Sequence, residues 1–154
     1  MMKTSTKAKP AVILLAEDDR GDQELTRRAL EEGKIRNDLR VVEDGEEALA
    51  YLYRRGKYKD PATSPRPDLL LLDLNLPRVD GREVLERVRA DSKLRRMAVV
   101  VLTTSRQEED ILRSYELGCN SFITKPVGMD QFIRVIQALE EYWFQIVVLP
   151  PKME

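Results

Sequence analysis

Four consecutive leucines, Leu69 to Leu72, run into Asp73, and Leu74-Asn75-Leu76-Pro77 follows, so one carboxylate stands at the mouth of an otherwise apolar segment. An unbroken apolar run bounded by Pro67 and Pro77 reads as a strand buried on both faces, which is the environment of a parallel sheet. The C-terminal edge of such a sheet is where ligands sit. A second run, Val12-Ile13-Leu14-Leu15-Ala16, closes on Glu17-Asp18-Asp19 in the same way. Side by side, the two strand ends bring several carboxylates to one spot. Like charges so close raise one another's pKa unless positive charge lies between them, and a hard cation with oxygen ligands, such as Mg²⁺, suits that position. Taken singly, these acids also read as helix caps and turn formers, and for Asp19 alone that reading is preferred.

Composition removes many other chemistries. The chain has 154 residues, 42% of them hydrophobic, with a net charge of -1, which fits one globular domain and gives no overall pull toward nucleic acid or membrane. No apolar stretch has the roughly 18 residues of a membrane span. The single cysteine, Cys119, cannot form an internal disulfide and reads as a small, buried, unreactive residue. Met1 to Pro10 is a basic, polar tail, expected to be disordered, without the apolar core of a secretory signal. A reducing, cytoplasmic setting is the expectation. The chain has no histidine, which excludes Ser-His-Asp and Cys-His catalysis, histidine zinc sites and a phosphohistidine of its own.

Strand-like and helix-like patterns alternate along the chain. After Val12 to Ala16, Asp22 to Glu32 places Leu25, Ala29 and Leu30 at helical spacing, with Gly33 as a stop. Leu39 to Val42 is a short strand, and Glu46 to Arg54 a helix with Ala48, Leu49 and Leu52 on one face. Arg82 to Arg89 is a third helix, Met97 to Leu102 a fourth strand, Glu108 to Leu117 a fourth helix and Ser121 to Thr124 a fifth strand. Met129 to Trp143 carries the stripe of a long amphipathic helix. Strict alternation implies a doubly wound five-stranded parallel α/β sheet with helices on both faces. Its strand ends then share one edge: Glu17-Asp18, Asp73, Thr103-Thr104 and Lys125-Pro126. A carboxylate, a metal, a hydroxyl and an ammonium together are equipped to accept a phosphoryl group. Each has a plainer explanation alone: Thr103 and Thr104 as β-formers, Lys125 as an exposed lysine before a turn, Phe122 as a core aromatic, Asp80-Gly81 as a turn into the third helix. Packing does not require their joint placement.

The segments Ala16-Glu17-Asp18-Asp19, Leu72-Asp73-Leu74-Asn75-Leu76-Pro77 with Asp80-Gly81, Leu102-Thr103-Thr104 and Phe122-Ile123-Thr124-Lys125-Pro126 resemble the receiver domain of two-component response regulators, over roughly residues 11 to 145. That resemblance implies a flavodoxin-like strand order 2-1-3-4-5 and Asp73 as the phosphoacceptor. It implies Mg²⁺ bound directly by Asp18 and Asp73, by Glu17 through water, and by the backbone carbonyl of Asn75. Thr103 and Phe122 become the switch pair, Lys125 the phosphate-neutralising lysine, and the Lys125-Pro126 bond cis. The expected partner is a sensor histidine kinase, and signalling is a shift between two packings driven by the phosphoryl group.

Three features depart from the commonest pattern. The connection from Arg54 through Pro67 is long and cationic, with Tyr51, Tyr53 and Tyr58 nearby; a solvated loop or protein contact is expected there ahead of nucleic-acid binding. Residues 146–154 continue the apolar character of Trp143-Phe144, and this Leu-Pro-Pro ending, with the long loop, resembles the small regulators paired with bacterial phytochromes. A homodimer through the fourth and fifth helices is expected, with Trp143, Phe144, Ile146 and Val148 contributing. No stretch reads as a DNA-binding or enzymatic output domain, so a single-domain regulator is expected. Two rival functions stay open: a Mg²⁺-dependent phosphohydrolase, against which Asn75 stands where a second aspartate belongs, and a receiver-like scaffold that has lost phosphorylation. Flavin binding lacks a phosphate loop after the first strand.

Overall fold

In the computed structural model, residues 10–32, 36–104, 107, 115–125, 130 and 134 are described. Five strands, β1 (Ala11–Ala16), β2 (Asn37–Val42), β3 (Leu69–Asp73), β4 (Ala98–Thr103) and β5 (Ser121–Thr124), form one sheet in the order β2-β1-β3-β4-β5. Every pairing is parallel. The other described elements are three α-helices, α1 (Arg20–Glu32), α2 (Gly45–Leu52) and α3 (Gly81–Ala90), and a short 3₁₀ helix at Gly56–Tyr58. Of the helix expected over Glu108–Leu117, Tyr115 and Glu116 are described and helical, while Leu117 already lies in a turn; of that expected over Met129–Trp143, Asp130 and Arg134 are described, both helical. The Met1–Lys9 tail, Pro126 with its peptide bond, and Trp143, Phe144, Ile146 and Val148 with the dimer face lie outside the described residues.

The strand alternation sorts the core into two layers. Leu14, Ala16, Leu70, Leu72, Val99 and Val101 face α2 and α3, meeting Ala48, Leu52, Val84, Leu85 and Val88. Ile13, Leu15, Leu69, Leu71, Val100 and Leu102 turn the other way, with Ala29 and Leu30 of α1. β3 lies between β1 and β4, so its two faces and both edges are occupied, and every residue of Leu69–Asp73 is buried. That is the physical reason for an all-leucine strand.

Some expected details shift. α1 begins two residues earlier than its apolar pattern, at Arg20, because Asp19 Oδ1 accepts the Asp22 N–H at 2.9 Å and caps it. Thr26, not Leu25, faces the core: Leu25 is 38% exposed, and the buried Thr26 returns its hydroxyl to the Asp22 carbonyl. The long α2–β3 connection is folded onto the domain. Tyr51 and Tyr58 rings pack at 4.9 Å, the Tyr51 hydroxyl donates to the Pro65 carbonyl, and the Tyr58 hydroxyl donates to Glu47. Two of its cations are engaged as well: Lys57 meets Glu47, and Arg55 lies over the Tyr53 ring. Tyr51 and Tyr58 therefore anchor the loop to the domain.

Candidate functional site

Three strand ends converge on one ammonium. Glu17 follows β1 directly, with its N–H donating to the Val42 carbonyl at 3.0 Å, and its side chain is wholly buried. One oxygen, Oε2, accepts the Asp19 N–H at 3.0 Å, and Oε1 accepts from Lys125 Nζ. Asp73 closes β3 at 4% exposure; its Oδ1 accepts the Asn75 N–H at 3.0 Å and its Oδ2 accepts from Lys125 Nζ at 3.1 Å. Lys125 follows β5, is 7% exposed, and donates as well to Asp22 Oδ2 at 2.9 Å. The plain reading of Lys125 as an exposed lysine is thereby replaced.

The loop carrying Asp73 forward is held from two sides. Asp80 caps α3 through the Arg82 N–H, as its turn-forming character suggested. Gly81 serves a different purpose from the expected tight turn: a Cβ there would stand 2.2 Å from the Asp73 carbonyl oxygen and 2.7 Å from Leu74 Cα. Only hydrogen in place of a side chain lets α3 seat against the backbone of the acid. On the other side, the Gly45 N–H donates to the Pro77 carbonyl at 3.1 Å, tying the loop to the start of α2. Between these anchors Arg78 adopts φ 72°, a left-handed conformation costly for a branched residue, and reaches Asp44 and Glu46 at 3.4 and 3.5 Å.

Glu17, Asp18 and Asp73 each offer an oxygen within 4.8 Å of the others. Two are buried and Asp18 is exposed, so the cluster opens to water on one side. All-oxygen, anionic donors fit a hard divalent cation. Asn75 brings its backbone into the same turn, with its N–H on Asp73. Burial pushes Glu17 up to about 7, the nearby Asp73 charge adding to the rise and the hydrogen bonds from Lys125 and the Asp19 N–H opposing it. Burial acts against charge on Lys125 too, but hydrogen bonds to Glu17 and Asp22 and the charges of Asp73 and Glu17 outweigh it and raise its pKa. Lys125 therefore stays an ammonium, and Glu17 is the group whose charge is hardest to keep without added positive charge.

Thr103 ends β4 in register with Thr124, which puts its backbone at the same rim; its side chain lies outside the described residues. Phe122 is half-buried against the α2–α3 core layer and meets the exposed ring of Tyr115 edge-on at 5.3 Å. Cys119 is buried and its thiol is pushed up by desolvation, in keeping with a packing role. Asp22 carries no separate signal in the sequence, because an acid in a first helical turn is already explained by the helix dipole. Gln23 was missed too: its amide donates to the Glu17 carbonyl at 2.7 Å and to Glu43 Oε2 at 3.0 Å.

A parallel 2-1-3-4-5 sheet with acids after β1 and β3 and a lysine after β5 defines a class. Residues 13–137 match the response regulator receiver domain, and the chain belongs to that family. It is 43% identical over 141 residues to the response regulator Rcp1 of Synechocystis sp., covering 92% of this chain and 94% of that protein. The Mn²⁺-bound crystal structure of Rcp1 aligns with a TM-score of 0.76 over 92% of this chain and 100% of that chain. A phosphorylated cyanobacterial phytochrome response regulator, RcpA, aligns at 43% identity and a TM-score of 0.76, covering 92% of this chain and 99% of that chain. The bacteriophytochrome response regulator RtBRR aligns at 45% identity and a TM-score of 0.78, covering 93% and 86%.

Proposed function

We propose that Asp73 accepts a phosphoryl group from the phosphohistidine of a sensor histidine kinase. The observation that carries this is Lys125 Nζ standing 3.1 Å from Asp73 Oδ2 beside a Glu17–Asp18–Asp73 oxygen cluster. An Asp73 carboxylate oxygen attacks phosphorus in line; the phosphorus–nitrogen bond breaks, its electron pair returns to the imidazole of the kinase, and that nitrogen takes up a proton. Lys125 bears part of the charge on the equatorial oxygens. Glu17, Asp18, Asp73 and the Asn75 carbonyl would hold Mg²⁺, which supplies further neutralisation of the phosphoryl oxygens. The Asn75 N–H fixes the rotation of the Asp73 carboxylate before reaction. In the product, the Thr103 hydroxyl turns to the phosphoryl group and Phe122 moves inward, altering the surface it shares with Tyr115.

The likeness to RcpA and RtBRR supports a phytochrome-type kinase as the donor, in the cytoplasm, and the apolar 143–148 segment supports a homodimer through the last two helices. Candidate autophosphorylated histidine kinases, offered in turn with Mg²⁺, test the donor. Rapid stoichiometric transfer from a phytochrome-type kinase is expected. Equal, slow labelling from all of them, or continuous turnover of small phosphoesters, would contradict this assignment.

A further inference from the structure

We propose that Asp22 is the dedicated counter-charge of Lys125, a positioning residue that keeps the ammonium at the rim when a divalent cation engages Glu17 and Asp73. This rests on reading Glu17, Asp18 and Asp73 as the cation cluster. An ammonium has three N–H donors, and in Lys125 all three face carboxylates: Glu17 Oε1, Asp22 Oδ2 at 2.9 Å and Asp73 Oδ2 at 3.1 Å. Two of those carboxylates belong to the oxygen cluster, and Asp22 does not. An oxygen sharing its charge with a divalent cation holds an ammonium less firmly, and the two positive charges repel across a few ångströms. Asp22 is then the acid left to hold Lys125.

Its placement suits that task. The Asp22 side chain is 28% exposed against 5% for Lys125, so it holds the ammonium from the solvent side while Glu17 and Asp73 hold it from within. It does not depend on Lys125 for its own position. The start of α1 is fixed by the Asp19 cap on the Asp22 N–H and by Gln23, whose amide binds the Glu17 carbonyl. An acid serving only the helix dipole has no need to reach an amine 103 positions away in sequence. Removing its charge leaves Lys125 two options, both adverse: to stay on Glu17 and Asp73 and compete with the cation, or to leave the rim.

The effect on cation binding must therefore pass through Lys125, and a double-mutant cycle isolates it. Mg²⁺ would be titrated calorimetrically into metal-free wild type, Asp22→Asn, Lys125→Met and the double variant. Asp22→Asn is expected to weaken Mg²⁺ by about fivefold in the wild-type background and by less than about twofold beside Lys125→Met. Asp22→Glu, which reaches the same amine, is expected to restore affinity to within about twofold of wild type. Equal weakening in both backgrounds, or none in the first, would overturn the role given to Asp22 while leaving the cluster intact. A wild-type protein that binds no Mg²⁺ would instead overturn the cluster itself, and with it this inference.

Discussion

Replacing Gly81 by alanine adds one methyl group against the backbone of Asp73, the proposed acceptor. The new Cβ would sit 2.2 Å from the Asp73 carbonyl oxygen, 2.7 Å from Leu74 Cα and 3.0 Å from the Asp73 carbonyl carbon. All are backbone atoms, so no side chain can rotate away. Relief to a tolerable contact needs a movement of about 0.8 Å of α3 or of the end of β3. Overpacking of this kind costs about 3 kcal/mol, and the better helix propensity of alanine returns up to about 1 kcal/mol, leaving a net loss of about 2 kcal/mol. For a chain of this size that lowers the melting temperature by roughly 4–8 °C. A sub-ångström displacement of Asp73 also separates its carboxylate from Lys125 and the cluster, and misplacement on that scale slows transfer by about 10- to 100-fold. Gly56→Ala is the control: its φ is 58° but nothing lies within 4 Å of the added Cβ, so it costs about 1 kcal/mol of backbone strain and leaves transfer unchanged. Thermal melting and kinase-dependent labelling read both quantities. A Gly81→Ala protein that melts and is phosphorylated like wild type would show that the approach of α3 does not position Asp73.

Cation binding at the proposed cluster is expected to depend on pH through Glu17. Its folded-state pKa, about 7, lies above its ordinary 4.5, so its contribution to stability is complete below pH 4.5 and is lost as pH rises through about 7. Lys125, raised from 10.5, keeps its contribution through neutral pH and loses it only above that range. Mg²⁺ should bind about tenfold more weakly at pH 6 than at pH 8, releasing protons, and should restore thermal stability most at the higher pH; calorimetry showing pH-independent affinity would contradict this. At Arg78, φ 72° makes a β-branched replacement costly: Arg78→Val should lose about 2 kcal/mol in denaturant melts, while Arg78→Gly stays within about 0.5 kcal/mol of wild type because strain relief offsets the exposed ion pairs and the added chain entropy. Light scattering should show a dimer at high micromolar concentration, and a monomer in both phosphorylated and unphosphorylated protein would remove the dimer.

The strands were legible because burial on both faces leaves a continuous apolar signature, and Leu69–Asp73 carried it most plainly. Their common edge follows from alternation alone, so the sequence already places Glu17, Asp73 and Lys125 near one another. Orientation was not legible. Leu25 and Thr26 are adjacent, and it is Thr26, three residues before Ala29 and four before Leu30, that shares their buried face. Asp22 was hidden by a sufficient local explanation, the helix dipole, since its contact with Lys125 exists only in three dimensions. Gly81 showed its small size but not its cause, which is the approach of α3 to the Asp73 backbone and not the turn itself. In the cationic loop, composition did not show that Tyr51 and Tyr58 turn inward, because their partners, the Pro65 carbonyl and Glu47, are met only in the folded chain.

The most direct test locates the phosphoryl group. Borohydride reduces an acyl phosphate to an alcohol, converting the acceptor aspartate to homoserine, and peptide mass spectrometry then identifies the position. After incubation with a phosphorylated kinase and Mg²⁺, conversion at Asp73 alone is expected, lost in Asp73→Asn and when the metal is chelated. Conversion at Asp18 or elsewhere in wild-type protein, or unchanged labelling of Asp73→Asn, would contradict the assignment of this carboxylate as the acceptor.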